Sequence, residues 1–125
     1  MAERAFDLQV RSSCFDPDST QRRIQVREQG DAPLYRVFLF LGGRDLPYVE
    51  SVTYVLHPTF PNPRRTVRRT PTNPLCKLEA WAWGEFAMTS EIVLKTGDTV
   101  AVGHQFAFSD EVEKAKKTTP EAFEY

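Results

Sequence analysis

Apolar residues in this chain recur at every second position, and that period limits its fold more than any other feature. Phe6, Leu8 and Val10 alternate with Asp7, Gln9 and Arg11, and Ile24 and Val26 sit between Arg23, Gln25 and Arg27. Val52, Tyr54 and Leu56 alternate with Thr53 and Val55. Phe86, Met88 and Ile92 share one face of a later run, and Val100, Val102, Phe106 and Phe108 mark another. Successive side chains of an extended chain point to opposite faces, so each run reads as a strand with one buried face. Tyr35 to Leu41 is apolar on both faces apart from Arg36, which predicts a central strand ended by a turn at Gly42-Gly43.

No stretch before residue 109 has the period of a helix. The strands follow one another at short spacing, separated by Pro, Gly, Asn and Asp, which predicts an all-β antiparallel sandwich or barrel. The nine prolines crowd toward the middle of the chain. Proline cannot donate to a central ladder, so residues 58–74 are expected in loop or edge positions. Ser109 to Lys117 has the composition of one or two helical turns. That segment is polar, so residues 1–108 are expected to form the domain and residues 109–125 a polar tail or linker.

With 125 residues the chain has one domain's worth of sequence and can bury a single core. Its formal net charge of −1 gives no overall field toward nucleic acid or membrane. The two cysteines, Cys14 and Cys76, lack metal-ligand spacing, and a disulfide between them stays open. Met1-Ala2-Glu3-Arg4 has no apolar signal core, and no apolar run approaches the ~20 residues of a membrane span. These features together predict a reducing, cytoplasmic setting, or a nuclear one in a eukaryote. No cofactor is expected.

Two segments stand apart from the strand pattern. The first is Leu56-His57-Pro58-Thr59-Phe60-Pro61-Asn62-Pro63, and the second is Trp81-Ala82-Trp83-Gly84-Glu85-Phe86. A basic stretch from Arg64 to Pro74 lies between them. Motif order and spacing resemble the YEATS family, in which a strand ends in Leu-His-x-Ser/Thr-Phe/Tyr-Pro-x-Pro and a later loop reads Gly-Trp/Tyr-Gly-Glu-Phe before a long strand. The match is strong from Val49 to Ile92 and weaker out to Tyr35 and Phe108. The small, charge-balanced chain and its departures from the pattern favour the prokaryotic branch.

The resemblance implies an immunoglobulin-like sandwich of about seven to eight strands, with loops at one end that hold an acylated lysine (acetyl, crotonyl or similar). It implies a reader and no enzyme. Phe60 and Trp83 match the two aromatic walls, Thr59 the hydroxyl that bonds the acyl amide, and His57 the brace behind them. The backbone around Trp83, from Ala82 to Gly84, would meet the acyl carbonyl. Ala82 replaces a common glycine, Trp81 has no family counterpart, and residues 28–34 lack the family's further aromatic. Trp81 is therefore a candidate replacement wall.

Each of these residues also has a plainer reading. Phe60 fits a loop plug, the tryptophans fit sandwich core, Thr59 fits a turn hydroxyl and His57 a loop brace. His104, between Val102 and Phe106, reads as a core histidine. Arg64, Arg65, Arg68 and Arg69 form the main charge cluster and read as a solvated edge, since a neutral domain lacks the basic stripe of a nucleic-acid binder. Besides the acyl-lysine reader, two readings stay open. One is a protein-interaction scaffold with a lost or repurposed pocket, and the other is an arginine-dependent binder of phosphate or nucleic acid. No nucleophile–base set, glycine-rich phosphate loop or paired carboxylates in an apolar setting point to an enzyme. The oligomeric state is not legible.

Overall fold

A computed structural model describes residues 6–29 and 32–125. Residues 1–5, which carry the reading of the chain start, and Gly30 and Asp31 of the loop before the central strand lie outside the described residues. The elements in order are β1 (Gln9–Ser13), β2 (Ile24–Gln29), β3 (Ala32–Gly42), β4 (Val49–Val55) and β5 (Arg64–Arg68). There follow β6 (Leu78–Ala82), β7 (Phe86–Leu94), β8 (Thr99–Phe106), α1 (Ser109–Thr118) and β9 (Phe123–Glu124).

The strands form two sheets. One has the order β1-β3-β2-β9 with β6 also on β3, and the other the order β5-β4-β7-β8. As expected from its two apolar faces, β3 is central. Tyr35 pairs with both Val26 of β2 and Ala82 of β6, and Leu39 with both Ser12 of β1 and Leu78 of β6. The arginine-rich β5 is an edge strand, paired only with β4 among the described strands. Its polar side chains suit an edge that must resist pairing with another chain.

The core lies between the sheets and is built from the alternating residues. Val10, Ile24, Val37, Leu39 and Leu41 face Val52, Tyr54, Ile92, Leu94 and Phe106, all nearly or fully buried. The buried Tyr54 hydroxyl donates to the Cys76 carbonyl at 2.7 Å, which supplies the partner a buried phenol requires. Cys14 and Cys76 are both buried and free, so the open disulfide is not formed. At the turn after β3, Gly43 has φ of +117°, and a Cβ there would lie 2.1 Å from the Asp7 carbonyl oxygen. Only glycine fits that approach. His104 is half-buried and its Nε2 lies 2.8 Å from Ser12 Oγ, which agrees with a satisfied core histidine.

The C-terminal segment departs from expectation. Residues 109–125 do not stand off as a tail. α1 packs on the core with Val112 and Ala115, each 3% exposed, and β9 pairs in parallel with β2. The two apolar residues are three apart and therefore on one helix face, a stripe too narrow to show in an otherwise polar composition. Glu111 fixes the helix from its polar side, accepting from Ser13 Oγ at 2.7 Å and the Cys14 amide at 2.9 Å.

Candidate functional site

The site forms where the loop between β4 and β5 meets the loop between β6 and β7. The first loop is closed at its base by the Leu56 amide, which donates to the Pro63 carbonyl at 2.7 Å. Inside it the Phe60 amide donates to the His57 carbonyl at 3.0 Å, a tight turn held on either side by Pro58 and Pro61. His57 Nδ1 lies 2.9 Å from Thr59 Oγ1 and accepts the Thr59 amide at 3.3 Å. The histidine thus braces the turn that presents Thr59, although both side chains are exposed.

The second loop has an inverted burial pattern. Ala80 and Ala82 point into the core at 3% and 1% exposure, while Trp83 is 69% exposed and Trp81 half-buried. Small residues fill the inside of β6, Trp81 takes its outside, and Trp83 follows on the same side just past its end. The core reading of the tryptophans is thereby excluded, and their shared face is as the period predicts. A tryptophan this exposed is a feature to explain, because large aromatic surface in water is unfavourable. Ala82 presents no side chain to the site, and any part it plays is through its main chain. Gly84 has open space where a Cβ would stand.

Phe60 and Trp83 line two connected hollows. The smaller, about 90 Å³, is bounded by His57, Thr59, Phe60, Trp83, Gly84, Glu85 and Phe86. The larger is a groove of about 840 Å³ that Thr59, Phe60 and Trp83 share with Leu34, Trp81, Arg27 and Arg65. Trp81 opens on the groove and does not reach the small hollow. It borders the groove beside the small hollow, where residues 28–34 bring no aromatic of their own.

Behind the small hollow an aromatic chain runs into the core. Phe86 lies 5.5 Å from Phe60 and 5.8 Å from His57, and stacks on Phe106 at 4.6 Å. Phe106 meets Phe108 edge-on at 6.1 Å, and Phe108 meets Tyr35 at 5.6 Å. The site is thus rooted in the sandwich by ring contacts.

Glu85 secures the other wall. One of its carboxylate oxygens accepts the Phe108 amide at 2.7 Å and the Ser109 amide at 3.0 Å, at the start of α1. These amides, that of Ser109 foremost, hold its carboxyl below the usual carboxylate range. The loop after Trp83 is therefore tied to the first turn of the helix.

The arginine cluster is engaged within the fold. Arg64 pairs with Glu91 at 2.7 Å and Arg68 with Glu50 at 2.9 Å. Arg65 donates to the Asn62 and Pro61 carbonyls, and Arg69 to that of Pro74. Sequence reasoning missed Arg27, Leu34, Phe86 and Glu85 as site residues. Arg27 and Leu34 are cross-strand partners in the β2–β3 hairpin, and their place at the site follows only from β6 pairing on the far edge of β3. Among the described residues no group of three or more His, Cys, Asp or Glu is placed to hold a metal ion. No described helix is long and apolar enough to cross a membrane.

Comparison with known proteins agrees with this architecture. The family model of the prokaryotic YEATS domain matches residues 35–107, more than half of the chain. Transcription initiation factor TFIID subunit 14 of Schizosaccharomyces pombe (strain 972 / ATCC 24843) is 44% identical over 54 residues. That stretch is 43% of this chain and 20% of the relative, so the chain spans about a fifth of that protein's length. Solved structures show the same fold at low identity. The Yaf9 YEATS domain recognising an H3K122suc peptide has a TM-score of 0.53 at 17% identity, covering 85% of this chain and 72% of the other. Another structure of the Yaf9 YEATS domain gives 0.53 at 18%, covering 90% and 83%. The same domain bound to H3K27ac gives 0.50 at 17%, covering 82% and 68%. With the sandwich, the paired loops and the family match in agreement, this chain belongs to the prokaryotic YEATS domain family.

Proposed function

We propose that this protein is a non-enzymatic reader that binds acylated lysine between Phe60 and Trp83. The observation that carries the reading is the 69% exposed Trp83 bordering, with Phe60, a hollow of about 90 Å³ that no side chain fills. One liquid water occupies ~30 Å³, so the hollow has room for a short acyl group. A planar amide or unsaturated acyl chain stacks on aromatic faces, worth about 0.5–1.5 kcal/mol per pair beyond burial. The amide's own polar atoms need partners there, since each left unsatisfied costs about 1–3 kcal/mol. Thr59 Oγ1 and the main chain of Trp83 and Gly84 are the groups at hand.

Selection follows from charge. Acylation removes the lysine's positive charge, whereas free lysine would lose its hydration in a largely apolar slot whose one carboxylate, Glu85, is already engaged by the Phe108 and Ser109 amides. His57 is assigned the brace and not a direct contact, because its Nδ1 is already engaged with Thr59. The likeness to structures described with H3K27ac and H3K122suc peptides supports a lysine-acylated peptide as the ligand class. A single side chain in a small slot predicts affinity of about micromolar order or weaker.

The test is titration of acetyl-lysine, crotonyl-lysine and unmodified peptides against wild type, Phe60→Ala and Trp83→Ala. Acyl-dependent binding lost in both variants is expected. Equal affinity for acylated and unmodified peptides would instead favour a scaffold that keeps the fold without the pocket's use.

A further inference from the structure

We infer that the groove beside the aromatic slot is a carboxylate subsite, which reads an acidic residue next to the acylated lysine on the target peptide. This rests on the acyl-lysine reading for its register but not for its chemistry.

Two guanidinium groups face the groove. Arg27 lies over the Trp81 ring with its central carbon 4.2 Å from the ring centre. Among the described residues it has no carboxylate partner. Arg65 lies 5.9 Å from the Phe60 ring centre, on the same groove. Its donors reach only the Asn62 and Pro61 carbonyls, while its neighbours Arg64 and Arg68 both have glutamates. The one acidic residue lining the groove, Glu79, is already paired with Arg36 at 2.9 Å. The groove therefore carries two guanidinium groups that form no ion pair among the described residues, although Glu28 and Glu124 border the far side of Arg27.

Arg27 is placed by the Trp81 ring it lies over and Arg65 by the Asn62 and Pro61 carbonyls, and a guanidinium so placed offers the planar fork that carboxylates prefer. Trp81, Leu34 and Phe60 give the groove an apolar floor, so charge at its rim is less screened than on open surface. The size of the groove favours a carboxylate from the peptide over one at the end of the acyl chain. About 840 Å³ is far beyond the end of one acyl group, and it suits a stretch of peptide beside the lysine. The arrangement makes Trp81 a partner of Arg27 in the subsite, not only a wall.

The test uses four peptides read by fluorescence polarisation: acetyl-lysine or unmodified lysine, each flanked by glutamates or by glutamines. With acetyl-lysine, glutamate flanks are expected to tighten binding about threefold to tenfold at low salt. The gain should disappear near ~1 M salt, where charges are screened within about 3 Å. Arg27→Gln and Arg65→Gln should each reduce the ratio of affinities for the glutamate-flanked and glutamine-flanked acetyl peptides. The ratio is taken within each variant, so any overall loss from the Phe60 loop in Arg65→Gln does not enter it. Arg27→Glu should reverse the preference toward a lysine-flanked acetyl peptide.

Acetylation that matters with flanks that do not would overturn the subsite and leave the reader. Flanks that matter with acetylation that does not would overturn the reader and leave the subsite. No dependence on either would overturn both. A succinyl-lysine peptide with glutamine flanks that captures the whole Arg27-dependent gain would also overturn this inference, by placing the carboxylate on the acyl group.

Discussion

Glu85 links the reading loop to the C-terminal helix, and its removal has a calculable cost. At neutral pH the Glu85 carboxylate accepts two amide hydrogens at the start of α1, at 2.7 and 3.0 Å. Phe108 and Ser109 have no other cap there, since the residue before the helix supplies no side-chain bond. A cap of this kind is worth about 0.5–2 kcal/mol, with about 0.3–1 of dipole interaction when the charge is exposed. Glu85 is exposed, so the lower part of that range applies, and Glu85→Ala should destabilise the fold by about 1 kcal/mol. In a chain of this size that is a fall in melting temperature of roughly 4 °C. Glu85→Gln keeps an acceptor and loses the charge, so it should fall between the two. The sign with pH follows from the depressed carboxyl pKa in the fold. The stabilisation is complete above the unfolded carboxyl's value of about 4.3 and is lost as pH falls through the lower folded value. Urea unfolding of wild type and Glu85→Gln at pH 7 and at pH 3 checks this. A gap at pH 7 that narrows at pH 3 is expected. No gap at pH 7, or a gap of equal size at both, refutes the cap.

Two further outcomes follow from the core. Ser90 is fully buried and its hydroxyl has no hydrogen-bond partner among the described residues, so Ser90→Ala should leave stability unchanged or raise it by up to about 1 kcal/mol in urea unfolding. Burial pushes the Cys76 thiol up to about 11, and burial together with the Glu111 carboxylate pushes Cys14 up to about 12. Because the thiolate is the reactive form, neither should be alkylated at pH 8 in the native protein, and both should react once it is unfolded in denaturant; mass spectrometry of each state counts the adducts.

The sequence and the structure agree where a signal is local. Alternation at Leu8–Val10, Ile24–Val26 and Val52–Leu56 marks buried faces, and the doubly apolar Tyr35–Leu41 marks the central strand. The paired loop motifs locate Thr59, Phe60 and Trp83 around common hollows. What stayed hidden depends on pairing between distant strands. Arg27 reaches Trp81 only because β2 and β6 take opposite edges of β3, a register that neither segment encodes alone. Glu85 reads as part of a motif, and its partners at Phe108 and Ser109 become visible only when α1 folds back. The helical turns from Ser109 are legible, but their packing on the core is not, because Val112 and Ala115 are a minimal apolar stripe among charges. Alanines inside β6, with Trp81 on its outside and Trp83 exposed just past its end, run against the usual hydrophobic ordering, and sites for ligands are where such inversions are expected.

The central claim is that Trp83 contacts the acyl group. The chain has two tryptophans, so a nitrogen-15 spectrum holds two indole N–H signals, assignable with Trp81→Phe and Trp83→Phe. Addition of an acetyl-lysine or crotonyl-lysine peptide with neutral flanks should move the Trp83 signal saturably and the Trp81 signal much less, while the unmodified peptide moves neither. A Trp83 signal that stays in place at saturating acylated peptide, or shifts equally with unmodified lysine, would contradict the account.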